Sequence, residues 1–381
     1  MTKILLKNCQ AILPNQVLEN TNLLIENGRI TDISTENLFA DETINLENQM
    51  LYAGFIDIHN HGAVGVDTNE ASIDDFIEVG KFLARNGVTA WLPTFVPDSD
   101  ENYRKQIEIL EKVREIQTDL PVAQVVGVHY EGVFANTQMC GALRPKYFKI
   151  FTGKELSELP TLQNGVHHTT YAPEIEGGIY LTEELTKQGW IPSIGHTKAD
   201  FQTLEKAFDA GAKHITHLFN AMTGIHHRDL GVAGWALTKD EISCEIIADN
   251  IHVHPKMLKL AGENKPSDKL ILVSDSVSPT GLGDGNFEIW GENVSVVNGK
   301  TRNERGSIAG SVITMLDAVK NMISRGFSPI AVSKMASANP AKLLGIEKDF
   351  GSIEVGKRAD LVVIDEQGNV TFSMISGKIV N

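Results

Sequence analysis

The sequence predicts an α/β fold: a TIM-like (β/α)₈ barrel carrying a small β-sandwich domain formed by both chain termini. Three observations point there. Eight apolar runs of strand length recur between residues 55 and 274, most of them separated by stretches of helical period. Both ends of the chain are rich in strand and turn signals, whereas the middle alternates strand and helix. Polar residues able to do chemistry collect where the apolar runs end. The expected division is 1–52 with 350–381 as the small domain and 53–349 as the barrel.

Asn27-Gly28 lies between Leu23-Leu24-Ile25 and Ile30-Thr31-Asp32-Ile33, a hairpin signal because both turn positions favour residues that tolerate positive φ. At the other end, Ala359–Ile364 and Val370–Ile375 read as strands around a Gln367-Gly368-Asn369 turn. The barrel strands are expected at Phe55–Ile58, Val88–Pro93, Ala123–His129, Val166–Ala172, Ile191–Gly195, His214–Leu218, Cys244–Ala248 and Leu270–Ser274. The clearer helices between them are Ile73–Asn86, Glu101–Gln117, Thr182–Gly189 and Lys198–Ala210.

Bulk composition narrows the function. The 381 residues are 42% hydrophobic and 22% charged, as in a soluble globular protein, and no apolar run approaches a membrane span. A net charge of −15 argues against nucleic acid or an anionic membrane surface as partner. Cys9, Cys140 and Cys244 are scattered and odd in number, which gives neither a disulfide framework nor a paired-cysteine zinc motif. The segment Met1–Lys7 is too short in apolar residues for a secretory signal, and the cysteine pattern fits a reducing cytoplasm, the expected location.

The first apolar run ends in His59-Asn60-His61-Gly62. In extended chain, residues i and i+2 share a face, so both imidazoles can reach one point. The third run leads into His129-Tyr130-Glu131, the fifth into His196, the sixth carries His217, the seventh precedes Asp249 and His252, and the eighth precedes Asp275. Barrel enzymes build their sites at the carboxyl ends of the strands. Imidazole and carboxylate donors suit a divalent ion: zinc first, with Fe, Mn or Co as alternatives. An ion plus an aspartate after the last strand implies hydrolysis, with Asp275 moving the proton.

Other histidines read as packing. His167 and His168 fall near the start of strand four. His214, three residues before His217, is expected on the opposite side of its strand. His254 ranks behind His252, which lies nearer the strand end.

These motifs resemble the N-acetylglucosamine-6-phosphate deacetylase family of the amidohydrolase superfamily. The resemblance spans nearly the whole chain. It is carried by Ala53-Gly54-Phe55-Ile56-Asp57, His129-Tyr130-Glu131-Gly132, Gly195-His196-Thr197, Thr216-His217-Leu218-Phe219-Asn220-Ala221-Met222, Ile247–Val253, Val273-Ser274-Asp275 and Ala309-Gly310-Ser311. It implies that Glu131, His196 and His217 hold the primary metal and that Asp275 is the catalytic acid/base. It also implies that His252, Asn220, Ala221, Ala142, Leu143, Ile308, Ala309 and Gly310 meet the substrate. Arg228 would grip the phosphate, often from the partner of a homodimer. His59 and His61 would hold a second ion, giving one or two per chain. Leu143 stands where the family has histidine or glutamine, which opens the choice of amino sugar. Rival readings are a related amidohydrolase acting on N-acetylgalactosamine 6-phosphate or another amide, and a barrel that binds metal without turnover.

Overall fold

The computed structural model describes residues 3–36 and 38–380; Met1 and Thr2 of the amino-terminal segment lie outside it. The barrel strands are β1 (Phe55–Asn60), β2 (Val88–Phe95), β3 (Gly127–Phe134), β4 (Val166–Tyr171), β5 (Ile191–Ile194), β6 (His214–Ile215), β7 (Ser243–Ile247) and β8 (Leu270–Val273). They pair in parallel in chain order, and Gln124–Val125 adds a short strand beside β2. β1, β2 and β3 are buried at every position, as expected of strands covered on both faces.

Closure between β8 and β1 runs through side chains as well as backbone. The buried Asp57 carboxylate accepts from the Ser274 hydroxyl (2.6 Å), the Ser274 amide (3.2 Å) and the Asn60 amide (3.0 Å). Beyond the strand ends, the Asp275 amide donates to the His59 carbonyl (2.9 Å) and the His61 amide to the Ser276 carbonyl (2.8 Å). Asp57→Ala would leave the Ser274 amide without its acceptor in the interior and take the shorter of two acceptors from the Ser274 hydroxyl. At ~1–3 kcal/mol per orphaned group, a clear drop in the thermal unfolding midpoint is expected; an unchanged midpoint would count against closure through Asp57.

The strand expectations differ from the structure in two places. The run Ala123–His129 is broken at Val126, and β3 continues to Phe134. His129 is therefore mid-strand and faces the barrel interior, where its ring stacks on His168 with centroids 4.1 Å apart. β6 ends at Ile215, so His217 lies in the following loop with φ +30°.

Strands from both chain ends form one hydrogen-bonded path, in the order 378–379, 370–375, 361–364, 50–53, 3–12, 17–26 and 29–34, with 42–45 also on 3–12. Asn27 and Gly28 make the hairpin turn with φ +52° and +75°. The sheet folds about its own apolar cluster, which includes Leu6, Leu23, Ile25, Leu51, Leu361 and Val363. A three-stranded antiparallel sheet (285–289, 292–297, 300–303) follows β8 and overhangs the barrel mouth; the sequence reading did not find it.

Candidate active site

His59 and His61 project from the end of β1, Glu131 from β3, and His196, His217 and Asp275 from the turns after β5, β6 and β8. All six are buried. Three of them, His196, His217 and Asp275, take positive φ (+47°, +30°, +49°), a conformation uncommon outside glycine that turns each side chain inward.

The six form two groups that share Glu131. Its Oε1 lies 3.1 Å from His196 Nε2, 3.0 Å from His217 Nε2 and 3.3 Å from His59 Nε2. Its Oε2 lies 3.3 Å from His61 Nε2. Asp275 Oδ1 sits 3.3 Å from His61 Nε2 and 3.5 Å from His59 Nε2. Glu131, His196 and His217 thus make one triad of converging donors, and His59, His61 and Asp275 the other.

Tautomers decide whether these donors are free to bind an ion. His61 Nδ1 faces the Thr94 carbonyl (3.1 Å) and His196 Nδ1 the Met139 carbonyl (2.8 Å). A carbonyl oxygen only accepts, so each Nδ1 carries a proton, and in the neutral ring Nε2 then presents a lone pair. His59 Nδ1 faces the Glu245 carboxylate (3.0 Å) with the same result. In the neutral rings the facing Nε2 atoms of His59 and His61, 3.2 Å apart, then aim lone pairs at each other, and His196 Nε2 aims its own at His217 Nε2, 3.1 Å away. That arrangement calls for a cation between them, and the imidazole–carboxylate donor set fits a divalent metal.

The electrostatics agree. Burial alone would raise the Glu131 pKa, but the imidazoles of His59, His196 and His217 around it hold it well below the usual range. Burial would likewise lower His61, yet Asp275 and Glu131 push it up to about 9. The carboxylates draw positive charge to this point, so a metal ion binding at His61 Nε2 must displace a proton.

One residue of the site, Glu245, is absent from the sequence reading. Glu245 on β7 is fully buried; its Oε2 also accepts from the His217 amide (3.2 Å), and its Oε1 pairs with His214 Nε2 (3.1 Å). The available signal was a lone carboxylate inside the apolar run Ser243-Cys244-Glu245-Ile246-Ile247. His214 therefore faces the interior beneath the site and not the opposite side of its strand. Strand alternation stops at Ile215, so counting residues from His214 to His217 misplaces it. His168 is buried in the same layer as expected of a packing residue, and burial lowers its pKa to about 3, keeping it neutral.

Above the cluster lies a cavity of about 290 Å³ lined by His61, Glu131, His196, His217 and Asp275 together with Ala142, Leu143, Asn220, Ala221, His252, Ile308 and Gly310. His252 is held by Asp249, Nδ1 to Oδ2 at 2.6 Å. His254 instead caps the helix Pro255–Asn264. Two expected contacts do not line this cavity. Ala309 is buried behind it, its amide donating to Thr301. Arg228 is exposed on a loop, its guanidinium 2.7 Å from His227 Nε2. Among the described residues, no lysine or arginine lines the cavity.

Residues 189–380 match the model of the Amidohydrolase family. The chain is 35% identical to the N-acetylglucosamine-6-phosphate deacetylase of Bacillus subtilis, over 99% of this chain and 96% of that protein. It is 33% identical to the N-acetylgalactosamine-6-phosphate deacetylase of Escherichia coli O157:H7, over 96% of each. The N-acetylglucosamine-6-phosphate deacetylase structure from Pasteurella multocida superposes with a TM-score of 0.92 at 28% identity, covering 99% of both chains. That fold, the buried donor cluster and full-length similarity place the chain in the amidohydrolase family, among the N-acetylglucosamine-6-phosphate deacetylases.

Proposed function

We propose that this amide hydrolase removes acetate from N-acetylglucosamine 6-phosphate to leave glucosamine 6-phosphate. The observation that carries the reading is the two-triad cluster at the floor of a cavity lined by Ala142, Leu143, Asn220, Ala221, His252, Ile308 and Gly310. A related Mycobacterium smegmatis deacetylase, with a TM-score of 0.90 at 27% identity, has been solved with N-acetyl-D-glucosamine-6-phosphate bound.

Divalent ions held by Glu131, His196 and His217, and by His59 and His61, would supply Lewis acidity to the acetyl carbonyl and to water. Zinc suits the histidine-rich set best. Asp275 Oδ1 accepts the proton of the attacking water and passes it to the departing sugar nitrogen, so that water and amide become acetate and amine. His252, oriented by Asp249, faces the same cavity and is positioned to contact the amide.

A phosphate needs positive charge, and the cavity wall has none from lysine or arginine. Arg228, exposed and outside the cavity of its own chain, suits a homodimer in which each subunit completes its partner's site. A cytoplasmic setting fits a phosphorylated substrate. Arg228→Ala should raise KM for the phosphorylated sugar by ~10–100-fold, the worth of a charge-assisted contact, and leave the unphosphorylated sugar unaffected. Equal effects on both sugars would exclude the contact.

The test of function is acetate release from N-acetylglucosamine 6-phosphate by metal-loaded protein, beside the galactosamine isomer and the unphosphorylated sugar. Leu143, which has no polar atom to read a hydroxyl, makes the galactosamine arm informative. Preference for that isomer would shift the substrate, and no turnover of either would overturn the reading.

A further inference from the structure

Trp290 occupies a position that turn chemistry disfavours. It and Gly291 form the two-residue turn between strands 285–289 and 292–297, with Ile289 paired to Glu292. Both turn residues have positive φ, +55° and +79°. Such a turn normally takes Asn-Gly, because a bulky side chain at positive φ is strained. The cost is borne at the mouth of the active site.

There the indole stands 5.2 Å from the His61 ring, edge to face at 74°. It lines the catalytic cavity, and it also lines a second cavity of about 420 Å³ bounded by Asp67, Glu70, Asp75 and Glu288. One side chain is thus shared by both cavities. Its Nε1 is sealed from solvent, so the indole surface that remains open is carbon. The hairpin bearing it packs through Ile289 and Val294 on Val277 and Ala309, which fixes the ring relative to the loop at Gly310.

We propose that Trp290 is the wall that limits the length of the acyl group, admitting acetyl and excluding longer chains. The inference rests on the deacetylase reading above. The scissile carbonyl must sit at the donor cluster, and Trp290 abuts His61 within that cluster. Ala142, Leu143, Asn220 and Ala221 line other parts of the cavity. An apolar wall beside the reacting carbon suits a methyl group. Removing it would open the catalytic cavity toward the second one and make room for two further methylenes.

The experiment compares kcat/KM for the N-acetyl, N-propionyl and N-butyryl forms of glucosamine 6-phosphate in the wild type, Trp290→Ala and Trp290→Phe, with bound metal measured in each. Methylene discrimination in a fitted apolar pocket is ~10–200-fold. The wild type should prefer acetyl over butyryl by that order, Trp290→Ala should shrink the preference at least about 10-fold, and Trp290→Phe should fall between them. If Trp290→Ala does not fold, the smaller ring of Trp290→Phe still has to shift the ratio. An unchanged acetyl-to-butyryl ratio with normal metal content overturns the role of Trp290 and leaves the deacetylase reading standing. A wild type that releases no acetate from the N-acetyl sugar overturns both.

Discussion

Asp275→Asn is expected to lower kcat by about 10²–10⁴-fold, the usual contribution of a positioned general acid–base group. KM and metal content should stay near wild type. The amide side chain is nearly isosteric with the carboxylate and keeps one acceptor oxygen, but it does not take a proton from water. The backbone should hold its place, since the Asp275 amide donates to the His59 carbonyl (2.9 Å) and its carbonyl accepts from the Ser311 amide (2.7 Å). Asp275 could instead serve as a ligand, because it converges with His59 and His61. Metal content separates the two roles: a ligand's loss would lower the number of bound ions, whereas a proton carrier's loss would lower only the rate. Near-normal turnover would remove Asp275 from the proton path.

What the sequence made legible followed from local rules. His59 and His61 share a face because β1 is regular to Asn60, so the i, i+2 argument holds there. The turn at Asn27-Gly28 adopts the conformation its residues favour. The reading failed where a strand stopped or broke. β6 is only two residues long, and the positive φ of His217 undoes the alternation used to place His214. Glu245 was hidden because its partners, His59, His214 and the His217 amide, come from distant strands that only the closed barrel brings together. Trp290 was missed for the opposite reason: its turn conformation contradicts its local preference, and such conflicts gather at functional sites.

Metal count carries the second large effect. Reconstituted protein is expected to bind two divalent ions per chain, and His59→Ala with His61→Ala should reduce this to one. The shared carboxylate is the reason. Glu131 Oε1 lies beside His196, His217 and His59, while Oε2 reaches His61, so this one carboxylate would be available to both ions. Glu245 supports the second site from beneath. It accepts the Nδ1 proton of His59, which leaves Nε2 free to bind, and His214 in turn holds its other oxygen. Glu245→Gln could donate its amide proton to His59 Nδ1 and stabilise the wrong tautomer. Loss of such a supporting group commonly weakens metal affinity ~10–100-fold. The expected result is weaker binding of the ion at His59 and His61 by titration, with a smaller effect on the other through the His217 amide and the apo protein's unfolding midpoint little changed. A fall in apo stability with both affinities intact would make Glu245 a packing residue only. One equivalent in the reconstituted wild type would rule out the two-ion centre, and His59 and His61 would then act on Asp275 or water through hydrogen bonds alone.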